Sequence, residues 1–383
     1  MNLPQLPSSS SVLTIAARLL QEAITPHAAE IDRDSRALED ALNQLGQANL
    51  LALKVPRSLG GWGVDDLTFG QFQALLARTS GALAFLQAQH QSAGAILSHS
   101  NNAEVQQAYL PRMAIGEARV GVSFAHLRRH PSPVRAIATL HGYRITGESP
   151  WVTGYGIFQT FIVAATLPDG QAVYGMVPFR TISSPTVSSH TPHQDGGTIA
   201  CGKPMELAAM SSTATVAVQF QDWFLPQSQV VCLKPVSAIP QSDRLNVLQH
   251  SFFALGCAAA GLDILDATAE AKQLLFLRST HTQLSAELAD CRQKIFAARS
   301  GEEFAVKLEL RAWAIDLAVR CAHAAVAASS GAANQSHHAA QRVYREALAF
   351  TVSGQTTAVM EATLARLARS SPSHWNNLPE ARD

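Results

Sequence analysis

The stretch Gly147–Gly154, GESPWVTG, comes after an apolar run that ends in Ser123, Phe124 and Ala125, and these two segments decide how the chain is read. Strand alternation puts Trp151 and Thr153 on one face, so a large ring and a hydroxyl are presented together. Taken alone, Trp151 reads more simply as a core aromatic and Thr153 as a strand end. Working outward, from about Arg119 to Leu233 short runs rich in β-branched and aromatic residues alternate with Pro, Gly and Ser clusters, the pattern of a β-barrel or sandwich. On the N-terminal side, apolar residues in Leu38–Leu53 and Phe72–Leu97 recur with helical spacing, broken at Gly60–Gly61. On the C-terminal side, Ala- and Leu-rich segments run from Leu245 to Ala368 with few breakers and predict a helical bundle. The expected domains are 1–117, 118–236 and 237–383. Ser8–Ser11 and the tail after Ser370 read as mobile ends.

Composition narrows the function. The chain has 383 residues, 47% hydrophobic and 15% charged, enough apolar material for more than one packed unit. With 29 basic and 29 acidic residues there is no net field to draw a nucleic acid or an anionic membrane. The apolar runs are read as too short to span a bilayer, and the N-terminus lacks the basic start and apolar centre of a signal peptide, so a cytoplasmic location is expected. The five cysteines are widely separated, without the spacing of a metal or redox motif. No metal site is expected.

Several further segments fall in one order along the chain: Val55–Val64 (VPRSLGGWGV), Tyr109–Gly116 (YLPRMAIG), Met210–Thr215 (MSSTAT), Phe220–Pro226 (FQDWFLP), Gln341–Ala347 (QRVYREA) and Gly354–Thr356 (GQT). With GESPWVTG they resemble the acyl-CoA dehydrogenase superfamily. The resemblance implies an α+β multi-domain fold: an N-terminal helical domain, a middle β-barrel or sandwich domain and a C-terminal helical bundle. It also implies FAD, with Ser123, Phe124, Ala125, Trp151, Thr153, Gly331 and Thr356 at the cofactor. A flavin ring is flat and largely apolar, so Trp151 suits its face and a hydroxyl or N–H near Thr153 its polar edge. The substrate class implied is an acyl thioester or another small apolar molecule, with an electron acceptor or reductase as partner. A homodimer or homotetramer is expected, because the superfamily completes its flavin sites from a neighbouring subunit.

The pattern also departs from the superfamily. Alignment on Arg342–Ala347 puts the usual catalytic glutamate at Gly354, and the alternative position on an earlier helix falls near Asn246. Dehydrogenation needs a base within reach of the α-proton, and neither residue is one. Gly354→Glu is therefore expected to restore a base, while Asp243 and Glu346 read as cap or ion-pair residues. Three histidines are the catalytic candidates: His90 in AQHQSAG, His126 after the Phe–Ala pair, and His337 beyond the Ser329–Gly331 turn. Arg128 and Arg129 read as phosphate ligands or as a solvated pair. Two other readings stay open, a flavin-dependent monooxygenase of the same fold and a noncatalytic binding relative.

Overall fold

Side-chain caps set the helix starts of the N-terminal region. Asp34, Asp65, Ser80 and Asn102 each accept a hydrogen bond from a backbone N–H of the first turn that follows, satisfying donors that an α-helix cannot pair internally. The helices are α1 (Ser9–Leu19), α2 (Ala28–Ile31), α3 (Ser35–Gln47), α4 (Asp66–Thr79), α5 (Gly81–Ser98) and α6 (Ala103–Ala114). The structure is a computed structural model that describes residues 9–183, 196–298 and 301–369. Ser9–Ser11, expected in a mobile end, form the start of α1, whereas Ser8 and the tail after Ser370 lie outside the described residues.

Next come β1 (Val120–Ser123), β2 (Val134–Thr139), β3 (Gly142–Val152), β4 (Thr160–Thr166), β5 (Gln171–Pro178), β6 (Thr198–Cys201), β7 (Val216–Pro226) and β8 (Val230–Pro235). They form one eight-stranded sheet in the order β6-β7-β3-β2-β4-β5-β8, with β1 parallel to β4. The β3–β7 register slips between Ser149 and Val152. Pro150 has no N–H for the ladder, and the bulge there turns Trp151 out of the sheet.

The C-terminal helices are α7 (Ala238–Leu245), α8 (Ser251–Lys272), α9 (Leu275–Ala297), α10 (Phe304–Ser329), α11 (Ala339–Val352) and α12 (Thr357–Arg369). Contrary to the sequence reading, α8 is long and apolar enough to cross a membrane, with a mean hydropathy of 1.5. It packs against α4, α9, α10 and α11, and 67% of its apolar window is buried, as a core helix requires. An ion pair and a buried hydrogen bond tie the two helical regions together. Glu346 is fully buried, accepts from Arg342 at 2.7 Å and from the Gly81 N–H at 3.0 Å, while Arg345 reaches Asp32 at 2.5 Å. Leaving such a carboxylate without its arginine would strand a buried charge.

Candidate functional site

A cavity of about 590 Å³ opens where β1, β3, the loop before β7, α5 and the end of α11 meet. Its wall includes Ser123, Phe124, Ala125, Trp151 and Thr153, so five residues expected at one site from sequence are brought together. Trp151 is 55% exposed although Ser149 and Val152 of the same strand are buried. Thr153 shares a hydrogen bond with Thr215 at 3.0 Å, and Thr213 and Thr215 complete a hydroxyl-bearing edge. Met210 and Ala214, flanking that edge, hold left-handed backbone conformations at φ 58° and 46°. Non-glycine residues rarely adopt such angles without support from their surroundings.

A second cavity of about 490 Å³ adjoins the first, and Ser92, Phe124, Arg128, His250 and Gly354 line both. Thr356 faces only this second cavity, where its hydroxyl caps α12 by accepting from the Val359 N–H at 3.3 Å. It is not beside Trp151 as expected. Gly331 is exposed and lines neither cavity, as does His337; within one chain neither joins the site. A further cavity of about 590 Å³ lies among α1, α4, α8 and α9 and shares no lining residue with these two.

The two remaining candidate histidines are held away from the cavities by backbone hydrogen bonds. His90 is fully buried; its Nδ1 accepts from the Val120 N–H at 3.1 Å, which leaves Nε2–H to donate to Met113 O at 3.1 Å. Burial pushes its pKa down to about 4, so a neutral ring fastens α5 to α6 and β1. His126 is also buried, with Nε2 donating to Ala164 O at 2.8 Å. Its Nδ1 meets Ser149 Oγ in a long 3.5 Å contact, and Ser149 in turn bonds Ser123. Burial lowers its pKa. His126 therefore reaches the cavity only through two serines.

The residue that sequence reading missed is His250. It ends the turn between α7 and α8, and its ring lies against Gly354 in the turn between α11 and α12. A Cβ built on Gly354 would fall 2.5 Å from His250 Nε2 and 2.7 Å from Cε1, and Gly354 has φ 59°. Only glycine meets both the left-handed backbone and the close approach. His250 Nδ1 bonds Ser353 Oγ at 3.0 Å, and Phe253 packs edge-on against the ring with centroids 5.8 Å apart. Arg311, 2% exposed, binds the two turns into one unit: Nη1 donates to Val247 O at 2.9 Å, and Nη2 to Ser353 O at 2.7 Å and Gly354 O at 3.0 Å. Desolvation lowers the Arg311 pKa to about 10. Burial, then the charges of Arg311 and Arg128, push the His250 pKa down to about 3. The imidazole is thus neutral at physiological pH.

The carboxylates near this junction are committed elsewhere. Asp243 binds Arg128 bidentately at 2.8 and 2.5 Å, and Glu346 belongs to the buried pair above, the ion-pair roles the sequence reading gave them. Asn246 lines the second cavity and donates to Ser242 O at 2.9 Å. Gly354→Glu would drive a side chain into His250, so a carboxylate at this position requires the ring or the turn to move.

The residues of the first cavity fit the ring of a flavin: one half-exposed aromatic, apolar walls from Phe85, Leu207 and Phe350, and an edge of neutral hydroxyls. Of the residues lining it, Arg128 alone is cationic, so this chain gathers no cluster of cations there for a diphosphate. Lys272 is spent on the end of α10, donating to Ala328 O at 2.6 Å.

This architecture matches known proteins. The sequence profile of the acyl-CoA dehydrogenase N-terminal domain fits residues 9–117. The probable acyl-CoA dehydrogenase FadE25 of Mycobacterium tuberculosis is 25% identical over 313 residues, covering 77% of this chain and 75% of that protein. Among solved structures, a glutaryl-coenzyme A dehydrogenase in its glutaryl-CoA complex superposes with a TM-score of 0.75 at 16% identity, covering 96% of this chain and 97% of that one. KijD3, solved with FMN and a dTDP-linked amino sugar, gives 0.70 at 18% identity, covering 97% and 96%. Residues 9–117 carry the acyl-CoA dehydrogenase N-terminal domain, and the chain as a whole is similar to acyl-CoA dehydrogenases in sequence and in fold.

Proposed function

We propose that this chain is an FAD-dependent oxidoreductase acting on an acyl thioester or a similar small apolar substrate, without a carboxylate at the superfamily's usual catalytic position. The observation that carries the reading is the pair of adjoining cavities, one walled by Trp151 and Thr153 and the other lined by polar and cationic groups, which meet at Gly354 and His250. When bound, a flavin supplies two-electron oxidation by accepting a hydride. The residues present do the rest. Trp151 would cover the ring, Thr153 and Thr215 would meet its polar edge, Phe124 would line its pocket, and Arg128 and Arg311 set a positive field for charge that develops on a thioester oxygen.

The same junction favours a second reading, a flavin-dependent monooxygenase, because a neutral imidazole and serines stand where a dehydrogenase presents a carboxylate. The exposed apolar side chains Leu348, Val352, Leu364 and Leu367 on α11 and α12 support a homodimer or homotetramer, with phosphate contacts completed by a neighbouring copy. A cytoplasmic location and reoxidation by a separate acceptor or reductase belong to the same proposal. Anaerobic stopped-flow mixing of the flavin-loaded protein with a panel of saturated acyl-CoAs tests it. Bleaching of the flavin is expected, slower than a carboxylate base would give. Product formed only when reductant and oxygen are supplied favours the monooxygenase, and a folded protein that binds no flavin refutes both.

A further inference from the structure

We propose that His250 is the catalytic acid–base residue of this site, its Nε2 exchanging a proton with the α-carbon of a thioester bound across the two cavities. This deepens the oxidoreductase reading and rests on it. The ring fills the volume that a side chain at position 354 would enter, since all three nearest atoms to a Cβ built there belong to His250, at 2.5, 2.6 and 2.7 Å. Nδ1 is held by Ser353 Oγ, and no hydrogen bond engages Nε2 among the described residues. The ring borders both cavities, and Phe253 and the Arg311-bound turns fix its plane.

The chemistry balances at named atoms. With Nδ1–H donating to Ser353 Oγ, Nε2 presents a lone pair. That pair forms a new N–H bond as the Cα–H bond breaks, and the electrons left on carbon delocalise onto the thioester oxygen. In a full oxidation those electrons would become the Cα–Cβ double bond, and a flavin held by Trp151 and Thr153 would supply the two-electron acceptor for the Cβ–H hydride. The charged groups lining the second cavity are Arg128 from the segment after β1, Arg311 from α10, Asp243 from α7, Lys54 before α4 and Lys234 from β8. Asp243 is the sole carboxylate among these lining residues and is bound to Arg128. The cations keep the ring neutral before a thioester arrives and favour the enolate oxygen, while making the imidazole a weaker base than an unperturbed histidine.

The test is exchange of α-protons with solvent deuterium in phenylacetyl-CoA, which has no β-C–H to lose as hydride and so isolates the proton step from flavin reduction. Wild-type protein should exchange these protons well above the solution rate. His250→Gln should lower exchange by roughly 100-fold or more, the usual share of a general base, while leaving phenylacetyl-CoA affinity within about 3-fold. Ser353→Ala, which frees the ring but keeps its base, should lower exchange several-fold and guards against misfolding of the first variant. In protein labelled at its imidazole nitrogens, the resonance that His250→Gln removes should report a neutral ring down to about pH 5. Undiminished exchange in folded His250→Gln, or wild-type protein that leaves the α-protons unexchanged, overturns the proposal. Failure of the oxidoreductase reading shows separately, as a chain that retains no flavin or whose flavin no acyl-CoA bleaches.

Discussion

Gly354→Ala isolates the contact on which the site is built. The substitution puts an L residue at φ 59°, a left-handed backbone that disfavours such residues by about 1–2 kcal/mol. It also sets a methyl 2.5 Å from His250 Nε2, 2.6 Å from Cδ2 and 2.7 Å from Cε1. Carbon contacts are comfortable near 3.5–4.0 Å, so the ring or the turn must move by about 1 Å. Overpacking of that order destabilises by about 1–3 kcal/mol, which brings the total to about 2–5 kcal/mol. In a His250→Ala background the steric part disappears and the backbone part of about 1–2 kcal/mol remains. A double-mutant cycle read by urea denaturation should therefore give a coupling of about 1–3 kcal/mol. Additivity within about 0.5 kcal/mol would mean that His250 does not occupy the space beside Gly354.

Three other changes have determined directions. Trp151→Ala should weaken flavin binding by roughly 10–100-fold, from lost apolar cover and stacking, read by fluorescence titration of the apoprotein; unchanged affinity in a folded variant removes Trp151 from the cofactor's face. Arg311→Met leaves the carbonyls of Val247, Ser353 and Gly354 without their donor, so urea stability should fall by roughly 3 kcal/mol or more, and with one cation gone the His250 pKa should rise. His90 has its pKa depressed to about 4 from 6.5. For a folded pKa below the unfolded one, stability is complete above about 6.5 and is lost as pH falls through about 4, because the unfolded chain binds the proton more readily. The loss should reach about 3 kcal/mol, seen as a falling urea midpoint between pH 7 and 4, and a midpoint flat across that window would contradict the buried neutral ring.

The fold was legible because its signals are local. Apolar spacing marks α4 and α5, β-branched runs mark β4 and β7, and Trp151 and Thr153 of the GESPWVTG stretch line one cavity. The bulge that turns Trp151 outward is partly written in Pro150. The placement of Gly354 in a turn was also legible, because the GQT segment follows directly on the α11 pattern. His250 was not, since it meets Gly354 through two turns about a hundred residues apart that Arg311 holds together, and nothing in the local sequence Gln249–Phe252 marks it. His90 and His126 misled for the converse reason. Their neighbours in sequence line cavities, but backbone groups at Val120, Met113 and Ala164 take up their ring nitrogens. Gly331 and His337 lie beyond α10, and tertiary packing leaves both outside the cavities of their own chain.

The central claim is that the cavity between Trp151 and Gly354 holds a flavin. The most direct measurement is an absorption titration of the purified, flavin-stripped protein with FAD, paired with its Trp151→Ala variant. One FAD per chain should bind, with perturbed flavin bands and quenched tryptophan fluorescence in the wild type, and a weaker, less perturbed complex in the variant. A folded wild-type chain that leaves both the flavin spectrum and its own fluorescence unchanged would contradict the account.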